Sequence, residues 1–428
     1  MIVPLKWSNS VVTEPSNIGT MNYIELFRLL KSRANYSDDI IPVDDSVEIR
    51  NHTFVSESHS ILPGSSTYRC DQHQLNFNEE YLPDTRIGHI DTHIDIPDID
   101  ITENKTFRYH IFKPVGVKKC SEVVLFFHGF NEKYWDKYLP WAQYIASNTG
   151  KAVVLFPIAF HMNRAPQLWS DAHRMYKLSA HRRNLFPDSI DSTLSNVAIS
   201  TRLHALPQRF LWSGLQTYYD VIQFVNFCKE GKHPDIASNF TCDFFSYSVG
   251  SLLAQILKLT NYKNYFGNSK LVMFCGGAVF NRLSPVSKFI IDSEANLALY
   301  NYLIEHLERH IEKNNRLEHL LGQKHTEGLI FRSMLNYSVM REFREDLFRS
   351  AADKILAIAL KNDSIIPYYE VAGTLQGSNR DIPVNFQTLD FEYTYRHEDP
   401  FPVKPNLATE VDNAFNEVFS AVSNFLKS

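Results

Sequence analysis

Ser248 ends the apolar run Phe244-Phe245-Ser246-Tyr247-Ser248 and is followed by Val249-Gly250 and a helix-like segment. A small-x-Ser-x-Gly pattern between a strand and a helix is the pattern of a nucleophile elbow. There the chain turns so sharply that the serine takes a strained conformation and presents its hydroxyl at the tip. The residues two before and two after must be small, because the turn presses them against neighbouring backbone. Gly250 meets that demand and Ser246, standing where glycine is usual, meets it only if its side chain does not crowd the tip. Ser246 and Ser251 are the alternative hydroxyls nearby, but neither has a small residue at both flanking positions.

A serine hydroxyl near neutral pH is a poor nucleophile and needs a base within hydrogen-bond reach, with an acid to orient that base. The apolar run 354–360 leads into Lys361-Asn362-Asp363-Ser364-Ile365-Ile366-Pro367, which puts a carboxylate in the turn after a strand, with a proline opening the next helix. Asp363 is the preferred acid, although a turn carboxylate or helix cap describes the same residue. His397 is the sole histidine downstream of Asp363 and is the natural base. Glu398 and Asp399 adjoin it, yet neighbours in sequence seldom make an orienting bond.

These residues need elements to hold them. Apolar runs at 109–114, 123–127, 152–157, around Phe244, and at 270–275, 354–360 and 384–389 read as strands. Helix-like segments at 135–148, 213–229, 249–259, 366–375 and 409–426 alternate with them. The class is α/β, a mostly parallel sheet covered by helices, with strands apolar enough to be buried on both faces. Ser248, Asp363 and His397 each fall at the carboxyl end of a strand, where an open α/β sheet builds its site. The expected organisation is an N-terminal extension over 1–105 of unassigned fold, a core over 106–280 and 351–428, and a helical cap over 281–350. Leu299, Leu303, Leu307 and Ile311 recur in that cap at helical spacing. Residues 161–211 are less regular and read as a lid.

With 428 residues, 44% hydrophobic and a net charge of −5, the chain is globular and carries no signature of a polyanion partner. Sixteen glycines are spread too thinly to form a phosphate-cradling loop, which excludes nucleotide fingerprints. No window is apolar and long enough to span a membrane, and the first ten residues lack a secretory pattern. Five scattered cysteines in apolar surroundings read as buried free thiols, and the expected location is the cytoplasm.

Three further features compete for a role. His161 and Arg164 follow a strand and are candidate contacts for a substrate carbonyl or carboxylate, or else anchor their loop. Tyr134, Trp135 and Trp141 read as core or cap contacts. His89, Asp91, His93 and Asp95 alternate on one face of a strand-like stretch, which suits a divalent ion or a solvated edge. Without a distant ligand set, no metal is assigned there.

From residue 106 onward the chain resembles the α/β-hydrolase superfamily, on the strength of the elbow, the order Ser248, Asp363, His397, and the pair His128-Gly129 after an early strand. In that family the His-Gly pair opens the loop that donates one amide of the oxyanion hole. The resemblance thus implies that the backbone amides of Phe130 and Val249 form that hole. It also implies a serine hydrolase of esterase or lipase type, acting on a carboxylic ester, thioester or amide with an apolar part, without metal or organic cofactor. Acyl transfer to another acceptor by the same three residues, and a non-catalytic binding protein of this fold, are the alternatives.

Overall fold

The computed structural model describes residues 21–34, 36–78 and 94–428. Eleven strands form within them: β1 (Ile40–Pro42), β2 (Val47–Val55), β3 (Thr67–Cys70), β4 (Leu75–Asn78), β5 (Thr106–Pro114), β6 (Cys120–Phe127), β7 (Ala152–Leu155), β8 (Ile236–Tyr247), β9 (Leu271–Phe274), β10 (Ile355–Leu360) and β11 (Asn385–Leu389). Nine of them make one sheet in the order β1-β2-β5-β7-β6-β8-β9-β10-β11, while β3 and β4 pair by themselves as a hairpin. From β7 through β11 the pairs are parallel, and β1, β2 and β5 continue the sheet antiparallel. This is the α/β-hydrolase fold that the sequence led us to expect.

Strand β10, Ile-Leu-Ala-Ile-Ala-Leu, is buried at every position, as a strand covered on both faces must be. Alternation along β6 divides the core. Val123, Leu125 and Phe127 face one hydrophobic cluster, and Val124 and Phe126 face the other. The helices are α1 (Tyr23–Arg33), α2 (Thr102–Lys105), α3 (Leu139–Thr149), α4 (Ala172–Leu185), α5 (Val197–Ala205), α6 (Arg209–Lys229), α7 (Gly250–Thr260), α8 (Ser293–Tyr300), α9 (Leu307–Lys313), α10 (Asn315–Leu321), α11 (Thr326–Ser333), α12 (Arg341–Ala351), α13 (Tyr368–Leu375) and α14 (Ala408–Lys427). Helices α6 and α7 pack on the first face; α1, α3 and α14 cover the second. In α14 the buried residues Val411, Ala414, Phe415, Val418, Phe419 and Val422 recur at three- and four-residue spacing, which makes one apolar stripe.

The sheet begins earlier than the boundary expected at residue 106. Strand β2 pairs with all of β5, from Val47 opposite Pro114 to Val55 opposite Thr106. Its polar positions find partners in the fold: Glu48 binds Arg50 and lies 3.6 Å from Lys113 of β5, which in turn lies 3.3 Å from Asp235. Between β9 and β10 the chain is helical, as the spacing of Leu299, Leu303, Leu307 and Ile311 predicts, and all four are buried. The less regular segment before α6 carries α4 and α5. The two insertions are joined by a buried ion pair in which Arg182 Nε and Nη2 donate to Asp292 at 2.6 and 2.8 Å. Among the described residues no helix is long and apolar enough to cross a membrane. All five cysteines are buried and free.

Candidate active site

Strand β8 runs straight into α7, and Ser248 between them has φ +57°, a left-handed conformation that a serine adopts only at a cost. Close packing enforces the turn. A Cβ on Gly250 would stand 2.7 Å from the carbonyl oxygen of His128 and 2.8 Å from that of Phe127, both backbone atoms at the end of β6. Ser246 fits without glycine. It is buried, its Oγ donates to the Val272 carbonyl at 3.0 Å, and the Ser251 hydroxyl lies 3.1 Å away. Its side chain therefore points toward β9 and leaves the tip uncrowded. Both alternative hydroxyls are held in this internal contact.

For Gly250→Ala we expect a loss of roughly 1–3 kcal/mol of stability, the usual cost of overpacking. The β6 end and the elbow must also part, which shifts the Ser248 hydroxyl relative to His397. Thermal unfolding of the variant beside wild type checks the loss.

His397 lies between Ser248 and Asp363. The Ser248 hydroxyl donates to His397 Nε2 at 2.7 Å, and Nδ1–H of His397 donates to Asp363 Oδ2 at 2.7 Å. The carboxylate on Nδ1 fixes the tautomer that leaves a lone pair on Nε2. Asp363 is itself held, because its Oδ1 accepts the Ile365 and Ile366 amides, both at 2.9 Å. These bonds arise from the turn after β10, where Asp363 caps the segment leading to α13. The imidazole stacks on Tyr247, with ring centroids 5.5 Å apart, and the Tyr247 hydroxyl donates to the His397 carbonyl. Ser248, Asp363 and His397 are all buried.

Phe130 and Val249 line one cavity with Ser248, and neither backbone amide has a hydrogen-bond partner among the described residues. The loop carrying Phe130 is held by His128, whose Nδ1–H donates to the Gly129 carbonyl at 2.7 Å while Nε2 accepts the Ile158 amide at 3.0 Å. Burial, with His161 nearby, pushes the pKa of His128 well below the usual histidine range, so it stays neutral and keeps both bonds. Tyr138 accepts the Gly129 amide at 3.0 Å and donates to Glu132 at 2.8 Å. Asn131, at φ +58°, donates through Nδ2 to the Ser195 and Phe289 carbonyls at 3.0 and 2.5 Å, tying the loop to both insertions. Sequence reasoning missed Tyr138, Asn131 and Tyr247; the one available signal was their nearness to His128-Gly129 and to Ser248.

The cavity is apolar. Besides Ser248 its walls include Phe210, Leu252, Phe280, Leu283, Ile290 and Leu299, several of them from the insertion between β9 and β10, and no charged side chain lines it. His161 faces adjoining cavities, and Nε2 of its buried ring has no partner among the described residues. Arg164 does not join it, which corrects its candidacy as a substrate contact. The guanidinium is fully buried, donates to Asp220 at 2.7 Å, to Asn104 Oδ1 at 3.0 Å and to the Pro157 carbonyl at 3.1 Å, and lies over Phe107. The anchoring role wins because every donor direction ends inside the protein. Trp135 and Trp141 are core residues, and Tyr134 is exposed. Glu398 accepts from Ser287 at 2.5 Å and does not orient His397. His89, Asp91 and His93 lie outside the described residues.

Among solved structures the chain is similar to a thermostable esterase from Pseudomonas putida, at 10% identity and TM-score 0.40, covering 94% of this chain and 89% of that one. It is also similar to the peroxisomal alpha-beta-hydrolase Lpx1 of Saccharomyces cerevisiae, at 11% identity and TM-score 0.38, covering 89% and 90%. A third likeness is to a carboxyl esterase of the fungus Tuber melanosporum, at 12% identity and TM-score 0.36, covering 76% and 83%. No curated protein matches the sequence. A family match does extend over residues 21–427, nearly the whole chain, and by it the protein belongs to DUF6051, described as a family of unknown function.

Proposed function

We propose that this protein is a serine hydrolase that cleaves a carboxylic ester with an apolar acyl part through an acyl-enzyme. The observation that carries the reading is the pair of 2.7 Å hydrogen bonds joining Ser248, His397 and Asp363, with Ser248 at the strained tip of the elbow. In acylation, Ser248 Oγ bonds to the ester carbonyl carbon as its proton passes to His397 Nε2. The carbonyl π electrons move to oxygen, where the Phe130 and Val249 amides receive the charge. As the carbonyl re-forms, the bond to the alkoxide breaks and the Nε2 proton goes to that leaving oxygen. Water then repeats the cycle on the acyl-enzyme, releasing the acid and returning the proton to Ser248. Asp363 holds the imidazole and stabilises its cation throughout.

The wall residues argue for the substrate class. An apolar acyl chain loses water to the cavity at a gain of roughly 25 cal/mol per Å² buried, while a charged acyl group would be desolvated with no partner. With p-nitrophenyl esters of graded chain length we therefore expect kcat/KM to rise over the first few methylenes, by several-fold each, following the transfer of about 0.8 kcal/mol per CH₂. A succinyl-type acidic ester should be a poor substrate. No release of nitrophenol across the whole panel would count against the reading.

A further inference from the structure

Far from Ser248 in sequence, two short motifs with metal-ligand spacing meet. Cys70-x₂-His73 lies at the turn of the β3–β4 hairpin, and His319-x₅-His325 joins α10 to α11. One donor atom from each of the four residues falls within 4.8 Å of all the others. Cys70 Sγ is 3.5 Å from His73 Nδ1 and 3.5 Å from His325 Nε2, and His325 Nε2 is 3.2 Å from His319 Nε2. A tetrahedral ion with Zn–N of about 2.0–2.1 Å and Zn–S of about 2.3 Å sets its ligand atoms roughly 3.3–3.7 Å apart. Cys70, His319 and His325 are buried, and His73 is half-buried.

The surroundings fit a metal as well. His325 donates from Nδ1 to Glu327 Oε1 at 2.8 Å, and the Tyr219 hydroxyl donates to the same oxygen at 2.6 Å. That fixes the tautomer in which the His325 Nε2 lone pair faces the cluster, the carboxylate–histidine arrangement found behind metal-bound imidazoles.

We infer that Cys70, His73, His319 and His325 bind one zinc ion as a closed structural site. One thiolate with three imidazoles and no carboxylate selects a borderline ion of tetrahedral preference rather than magnesium or calcium. Four protein ligands leave no open position for catalysis. The ion clamps the N-terminal hairpin onto the helical insertion. Arg316 of α10 already bridges the same seam, donating to the Ser60 carbonyl at 3.2 Å and lying over the Tyr68 ring. Helix α11 also carries Glu327 and Phe331, which line a cavity shared with Val249 and Leu252, so the clamp braces a wall beside the elbow.

The test uses the full chain, free of any polyhistidine tag, loaded with equimolar zinc and desalted. Elemental analysis should find about one zinc per chain, and removal by a strong chelator should lower the thermal midpoint until zinc is restored. Cobalt in place of zinc should give tetrahedral ligand-field bands and a thiolate-to-cobalt charge-transfer band. Cys70→Ser should abolish the charge-transfer band. His73→Ala, which touches the least buried ligand, should weaken zinc by at least about 100-fold while the protein stays folded, and Glu327→Gln should weaken it by about 10–100-fold with the cobalt spectrum retained. Folded wild type that retains no zinc and shows no charge-transfer band would overturn the site, as would His73→Ala and His325→Ala proteins that hold zinc like wild type.

Discussion

Replacement of Ser248 by alanine should lower kcat by at least about 10⁴-fold, with KM changed little. Removing the hydroxyl deletes the nucleophile but leaves the apolar cavity and the Phe130 and Val249 amides, so ground-state binding persists while the covalent route is lost. His397→Ala should cost about as much, because an unassisted Ser248 hydroxyl does not ionise near neutral pH. The double variant should be little worse than either single one, since the two groups act as a unit. Asp363→Asn should still fold, yet it removes the carboxylate that fixes Nδ1–H, and turnover should fall by roughly 10⁴-fold. Steady-state kinetics on one p-nitrophenyl ester decides among these outcomes. Additive losses, or a Ser248→Ala protein with nearly full activity, would contradict the mechanism.

The second large effect is a loss of stability in mild acid. His110, His128 and His161 are buried and neutral. Burial, reinforced by Arg108, pushes His110 down to about 3, and burial, with Arg164 adding to it, takes His161 to about 4. His128 lies well below the ordinary range, chiefly through burial. Each folded value is depressed relative to the unfolded value of about 6.5. Their stabilisation is therefore complete above about pH 6.5 and is lost as the pH falls toward the folded values, since the unfolded chain takes up protons that the folded one refuses. At about pH 5 His110 and His161 have each given up about 2 kcal/mol, or about 4 kcal/mol together, and His128 adds to the loss in the same direction. With unfolding entropy near 2.1 cal/mol/K per residue, the thermal midpoint should drop by roughly 5–10 °C between about pH 8 and pH 5. Scanning calorimetry across that range checks the slope, and His110→Gln, which keeps a donor for Asn51, should reduce proton uptake by about one. A midpoint independent of pH would contradict the neutral burial of these rings.

The elbow and the turn carrying Asp363 were legible in the sequence because β10 and the end of β8, buried on both faces, read as continuous apolar runs with the site residues at their ends. His397 was legible as the sole histidine after Asp363, since the strand before it, β11, has no buried residue and ends at Leu389. Helix α14 was legible through its amphipathic period. Strand β2 was not, because Glu48, Arg50 and Asn51 interrupt its apolar positions; Arg50 pairs within the strand with Glu48, while Glu48 and Asn51 also find partners on β5, Lys113 and His110. In the sequence Ser246 shows only as a missing glycine, whereas in the fold its hydroxyl satisfies the Val272 carbonyl inside the sheet. Arg164 looked like a substrate contact because it follows a strand end. Asp220, which neutralises it, is 56 residues away and could be paired with it only by the fold. The four donors around Cys70 escaped for the same reason, since each half of the cluster is a weak motif alone and Cys70 and His325 stand 255 residues apart.

The proposed chemistry is tested most directly by trapping the nucleophile. A fluorophosphonate probe mapped by peptide mass spectrometry should give one adduct per chain on Ser248, lost in Ser248→Ala and strongly slowed in His397→Ala. Equal labelling of wild type and Ser248→Ala, or an adduct on a different residue, would contradict Ser248 as the nucleophile.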